Sequence, residues 1–166
     1  MRIQQGHSKK LIREVRKGNK EKKIKLPVIC FSGEFSSRTD EGLFEHSEFI
    51  ILDFDHVDVK TTKTALATDD FIYSCWVSPS GDGIKALVRL TNPERHRDHF
   101  RALITYFNRQ YGLEVDESGI NESRACFESW DPDIIIKGEY KKFGAFTTEH
   151  AEAQTPVNAS YSYTDY

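Results

Sequence analysis

Residues 49–55 read Phe-Ile-Ile-Leu-Asp-Phe-Asp, and this stretch constrains the chain more than any other. An unbroken apolar run rich in β-branched and aromatic residues predicts a buried strand. It runs out where Asp53 and Asp55 appear. Successive side chains on a strand alternate faces, so these two carboxylates project to one side and Phe54 to the other. A carboxylate pair at a strand end suits a hard divalent cation such as Mg2+ or Mn2+. A strand that simply ends in a turn carries Asp there as well.

The chain has 166 residues, enough for one domain with a real core. Its net charge of −3 argues against wholesale electrostatic coating of nucleic acid, but the charge is unevenly placed. Between Lys9 and Lys25 stand nine cationic side chains against only Glu14 and Glu21. That asymmetry makes either a phosphate-binding patch or a solvated helix face with a loop. No stretch has the apolar length of a membrane span, and no apolar signal core follows the N-terminal basic residues, so a cytoplasmic protein with no membrane partner is expected. Cys30, Cys75 and Cys126 lack CxxC spacing and sit in apolar runs. They read as reduced, buried thiols rather than a zinc site or disulfide framework.

Along the chain, Ser8 is placed to cap a short helix whose Leu11, Ile12 and Val15 share a face, with Gly18 as its stop and a charged loop reaching Lys25. Residues 26–31 predict a strand that enters a bend at Gly33, and Arg38 follows in a polar loop. Residues 61–68 form a weak helix candidate. Residues 71–77 and 84–90 predict two strands joined by the hairpin Ser78-Pro79-Ser80-Gly81-Asp82-Gly83. Its glycines and proline suffice for a tight turn, yet it also offers backbone N–H groups, the Ser78 and Ser80 hydroxyls and, just inside the next strand, Lys85 for a phosphate. Asn92-Pro93 starts the clearest helix, with Phe100, Leu103, Ile104, Phe107 and Tyr111 on one face and Gly112 at its end. His96 and His99 sit a turn apart on it among charged neighbours, which predicts that they face solvent. Residues 113–116 bring Asp116 to the end of a short extended piece, and residues 124–129, 133–136 and 142–146 predict further strands. Residues 1–148 thus form the folded domain, and residues 149–166 read as a linker or disordered tail.

Mixed helices, strands and hairpins predict an α+β fold. A carboxylate pair, a Gly-rich hairpin with a lysine and a later strand-end carboxylate are the parts of two-metal nucleotidyl transfer. Four ordered stretches carry a resemblance: LPVICFSG at residues 26–33, ILDFD at 51–55, SPSGDGIK at 78–85, and VD at 115–116 followed by SRACFESWDPD at 123–133. Together they resemble the VirE-type N-terminal domain of the archaeo-eukaryotic primase (primase-polymerase) superfamily. That resemblance implies an RRM-like catalytic sheet joined to an N-terminal α/β unit, with the site in the cleft between them. It implies Asp53, Asp55 and Asp116 as catalytic metal carboxylates for Mg2+ or Mn2+. Ser78, Ser80, Gly81, Gly83 and Lys85 would contact the incoming nucleotide, with Arg124 near phosphate or template. Asp131 and Asp133 are the alternatives to Asp116. Lys85 stands where that superfamily's second motif usually ends in histidine, so it can hold a phosphate as a point charge but is a poor proton relay.

The implied function is DNA primase or polymerase activity on a single-stranded DNA template with NTP or dNTP, in replication of a mobile element, phage or plasmid, with a fused or associated helicase as partner. A non-catalytic nucleic-acid or nucleotide-binding module of a replication complex is the alternative, and a metal-dependent nuclease stands behind both.

Overall fold

A computed structural model describes residues 2–147, so the expected tail at residues 149–166 lies outside the described residues. The fold is α+β. Its N-terminal part comprises α1 (Arg2–Gln5), α2 (Lys9–Arg16), a 3-10 helix (Lys20–Lys25), β1 (Val28–Cys30), β2 (Gly33–Phe35) and β3 (Leu43–His46). There follow β4 (Phe49–Phe54), α3 (Val59–Thr68), β5 (Ile72–Val77), β6 (Ile84–Arg89), α4 (His96–Tyr111), β7 (Ala125–Phe127) and β8 (Ile135–Ile136). The main sheet has the order β4-β6-β5-β8 and is antiparallel throughout, while β1 with β7 and β2 with β3 make two separate antiparallel ribbons.

The continuous apolar run of β4 reflects burial on both faces of the main sheet. Ile50, Leu52 and Phe54 enter one core with Leu66 of α3 and Phe100, Leu103 and Phe107 of α4. Ile51 enters a second core with Trp76, Leu87, Cys126 and Ile3. Each of these large side chains contributes on the order of 1.5–3 kcal/mol through burial. Asp53 shares the parity of Ile51, so it emerges on the side of the second core, where the N-terminal elements and β7 lie.

Helix ends follow local chemistry. Asp58 caps α3 by accepting the Thr61 N–H at 2.7 Å, and Asn92 accepts the Glu94 N–H at 3.1 Å before α4 begins. Gly112, at φ 65°, ends α4 in the left-handed conformation. Ser8 departs from its expected role and makes no side-chain cap. Its hydroxyl donates instead to Glu128, whose carboxylate is 1% exposed and also accepts from Arg2 Nε at 2.5 Å. A buried carboxylate has greater need of donors than a helix end that water can reach.

Other expectations shift. The charged link to Lys25 winds into the 3-10 helix, and the strand of residues 26–31 shortens to β1. Residues 113–116 form no strand, and residues 142–146 reduce to one bridge, in which Phe143 lies parallel to Leu90. Cys75 and Cys126 are buried as expected, whereas Cys30 is half-buried.

His96 and His99 are corrected most sharply. They are 2% and 1% exposed, because the buried face of α4 extends through its first turn. His99 Nδ1 meets the Ala145 carbonyl at 2.6 Å, and His96 Nδ1 meets His46 Nε2 at 2.9 Å. The Glu48 N–H donates to His46 Nδ1 at 2.9 Å, so His46 carries its proton on Nε2 and donates it to His96. Burial first, then the nearby His46 and Arg97, push the His96 pKa down to about 3 from 6.5. Its folded value is depressed, so the unfolded chain binds the extra proton between these values. Stability should therefore rise with pH from about 3 to about 6.5. Urea unfolding across that range should show this rise, flattened in His96→Gln.

Candidate metal and nucleotide site

Asp53 lies directly opposite Lys85 in the β4–β6 register, so both side chains leave the same face. Lys85 Nζ forms an ion pair with Asp53 Oδ2, and the two side chains are only 9% and 15% exposed. The second oxygen, Asp53 Oδ1, is buried and has no hydrogen-bond partner. Two residues on, Asp55 leaves the strand end exposed to solvent. The chain then reverses at His56, held at φ 53°, and the Val57 N–H donates to the Asp82 carbonyl at 3.1 Å. This brings the β5–β6 hairpin against the end of β4. A Cβ on Gly83 would stand 2.7 Å from the Phe54 carbonyl oxygen and 3.4 Å from Asp55 Oδ1, so glycine is what allows the approach.

Asp116 arrives from the segment after α4. Its N–H donates to the Asp53 carbonyl at 2.9 Å, fixing the third carboxylate to the outer edge of β4. Its side chain accepts the Ser118 N–H at 3.0 Å, the Ser118 hydroxyl at 2.8 Å and Arg124 Nη2 at 3.0 Å. Asp53, Asp55 and Asp116 each present a carboxylate oxygen, and these oxygens lie within 4.8 Å of one another. Among the described residues no other group of three or more His, Cys, Asp or Glu side chains converges in this way. Burial, then the charge of Asp53 and, after the opposing pull of Lys85, that of Asp116 raise the Asp55 pKa above the ordinary carboxylate range. At Asp116 burial acts in the same direction, but the Ser118 bonds, Arg124 and Lys85 together outweigh it and hold the group below that range. The trio is thus a crowded anionic site in which one buried oxygen, Asp53 Oδ1, has no donor among the described residues.

The remaining expected nucleotide-binding residues are engaged differently. Ser78 is buried with its hydroxyl unpartnered, its N–H donating to the Gly83 carbonyl at 2.8 Å, and Gly81 at φ 87° donates to the Ser78 carbonyl at 3.1 Å. The turn therefore uses the N–H groups of Ser78 and Gly81 to close itself. Ser80 is half-buried. Lys85 and Arg124, expected at phosphate, are paired with Asp53 and Asp116 in this structure.

Asp131 does not join the trio. It is 3% exposed, its Oδ2 accepts from Lys63 Nζ at 2.6 Å and the Val77 N–H at 2.9 Å, and its Oδ1 accepts the Asp133 N–H at 3.0 Å. Asp133 itself is exposed. Asp131 ties α3, β5 and the turn before β8 together. Asp131→Ala would leave Lys63 unpaired and should cost about 3–5 kcal/mol. Denaturant unfolding of the variant should show that loss both with and without divalent cation.

Arg16 was hidden within the basic segment. Its Nη2 donates to the Ser78 carbonyl at 3.0 Å and the Trp130 carbonyl at 2.9 Å, and its stem covers Gly81. The signal lay in the spacing, because Arg16 stands four residues after Ile12, on the buried face of α2. Ser118 was signalled by Asp-x-Ser, where an Asp side chain bonds its own chain two residues on.

Residues 21–135 match the family described as BT4734-like, N-terminal domain. The chain belongs to that family. Because this family is distinct from the VirE-type domain, the resemblance to VirE-type primase-polymerase domains is overturned. The stretches that carried it, residues 26–133, all fall inside the BT4734-like match. No curated protein and no solved structure matches the chain significantly. The BT4734-like match includes all three clustered carboxylates, Lys85 and Arg124, while α1 and α2 precede it.

Proposed function

We propose that this BT4734-like domain catalyses metal-dependent nucleotidyl transfer, adding NTP or dNTP to a strand on a single-stranded DNA template. The convergence of Asp53, Asp55 and Asp116 within 4.8 Å carries the reading. These residues fit Mg2+ or Mn2+: all donors are hard oxygens, and Asp53 Oδ1 is buried without a donor. When bound, such ions activate the attacking hydroxyl and neutralise the leaving pyrophosphate. Asp53 and Asp116, joined through their backbones, set the spacing of the ligand oxygens, and Asp55 offers its oxygen from the solvent side. Lys85 and Arg124 each hold a site carboxylate and are positioned to exchange it for a phosphate oxygen. An RRM-like reading of the sheet is supported by β4, α3, β5 and β6, in which β6 lies between the two strands that α3 connects. β8 takes the β5 edge.

The test is incorporation of labelled NTP and dNTP on single-stranded DNA with Mg2+ or Mn2+, with and without primer, for wild type and Asp53→Asn. Synthesis by wild type alone supports the proposal. If labelled DNA is cut when nucleotides are omitted, the site is hydrolytic and the proposal fails. A second reading, a nucleic-acid-binding module without catalysis, is favoured by one observation: Lys85 already neutralises Asp53. It requires DNA binding that survives Asp53→Asn with no incorporation by either protein.

A further inference from the structure

The basic segment is only partly used by the fold. Arg16 holds the hairpin, and Lys17 and Lys22 flank Glu14 at 3.5 and 3.3 Å. Lys10, Lys20 and Lys25 are exposed and have no side-chain partner among the described residues. Between α2 and the 3-10 helix lies a cleft of about 390 Å3, lined by Lys10, Lys22 and Lys25 together with His7 and Ser8. Among the described residues Glu14 is the one acidic side chain lining it, and it is bound to lysines. The cleft is therefore a cationic trough.

Beside the lysines is an apolar surface unusual for a solvated basic helix. Ile24 is 78% exposed and Val28 49% exposed. Val28 pairs with Phe127 in the β1–β7 ribbon, so their side chains share a face, and Lys23 Nζ stands 5.8 Å from the Phe127 ring centroid. Cys126 points the other way, into the second core. The ribbon thus has one side on the main sheet and one side in the basic face. Arg124, which holds Asp116 at 3.0 Å, precedes Phe127 by three residues of extended chain, about 10 Å. By alternation Arg124 takes the side of Cys126, so a strand on the outward face would turn round the start of β7 to reach the carboxylates.

We propose that the face formed by α2, the 3-10 helix and the outward side of the β1–β7 ribbon binds single-stranded nucleic acid and leads it to the carboxylate trio. Lys10, Lys20 and Lys25 take backbone phosphates, and Ile24, Val28 and Phe127 meet the bases. Unpaired cations beside aromatic and aliphatic surface are what a single strand requires, because it offers phosphates and base faces together. An acidic protein would use the lysines and leave the apolar surface wet. This inference rests on the nucleic-acid substrate of the proposed function and adds where that substrate lies.

The test is binding of labelled single-stranded oligothymidylate across a salt series, in EDTA and without nucleotides, so that binding is read apart from catalysis. Each phosphate contact on a single strand contributes about 0.7 to the slope of log K against log salt. The triple variant Lys10→Ala, Lys20→Ala, Lys25→Ala should therefore lower the slope by about 2. Ile24→Ser should weaken binding without changing the slope. An unchanged slope in the triple variant overturns the proposal. So does binding to phosphatidylserine vesicles without binding to the oligonucleotide. If binding follows this pattern while wild type never incorporates nucleotide, the catalytic reading fails and the assigned face stands.

Discussion

Asp55→Asn should abolish nucleotide incorporation while leaving the metal-free fold intact or firmer. Asp55 is exposed at its outer side, has no lysine or arginine ion pair among the described residues, and is held above the ordinary carboxylate range by its partial desolvation and by the charge of Asp53. A raised folded pKa means that the native state binds more protons than the unfolded chain from the ordinary carboxylate range up to the raised value. Through that interval the group's contribution to stability falls as pH rises, so neutralising it removes repulsion. Under the proposed function the site loses a ligand oxygen at the same time. Removing one group that stabilises transition-state charge costs about 10^2–10^3-fold in rate, and an effect at least on that scale is expected. Single-turnover incorporation beside urea unfolding in EDTA checks both halves. Asp53→Asn is a less clean comparison, since it also leaves Lys85 buried without its counter-charge. Full activity in Asp55→Asn would remove this residue from the site.

Lys85→Met should produce a protein whose stability depends on divalent cation. Breaking a largely buried pair from one side costs about 3–5 kcal/mol, because the remaining charge is uncompensated. Here that charge is Asp53, which sits among Asp55 and Asp116. A cation binding the three carboxylates would compensate it. At 100 times its dissociation constant a ligand returns about 2.7 kcal/mol. Thermal or urea unfolding of the variant with and without Mn2+ should show this gain, and wild type should gain less because Lys85 competes for Asp53. Equal responses in the two proteins would show that Lys85 does not stand where a cation binds.

The parity of Asp53 and Asp55 was legible from β4 because a period of two leaves little choice once the apolar face is set. The Gly83 position was legible as a turn, but its closeness to Asp55 depends on the chain reversing at His56, which composition does not reveal. Asp116 and Asp131 could not be separated by sequence. Both follow short extended pieces, and only the bond from the Asp116 N–H to the Asp53 carbonyl, against the Lys63 pairing of Asp131, decides between them. His96 misled for a related reason. Its charged neighbours describe the local surface, whereas its burial is imposed by His46, fifty residues earlier. The β2–β3 ribbon was missed because its strands are short, each with an exposed Glu at the centre of the pairing.

The backbone bond between Asp116 and Asp53 has a consequence for the order in which the protein is made. The two aspartates are separated by two strands and two helices, and the second cannot dock until α4 has returned along the sheet. A nascent chain that has emerged only through Gly112 carries Asp53 and Asp55 without their third companion. A cation can therefore be held by all three groups only after synthesis has passed Asp116 and α4 has packed against the sheet.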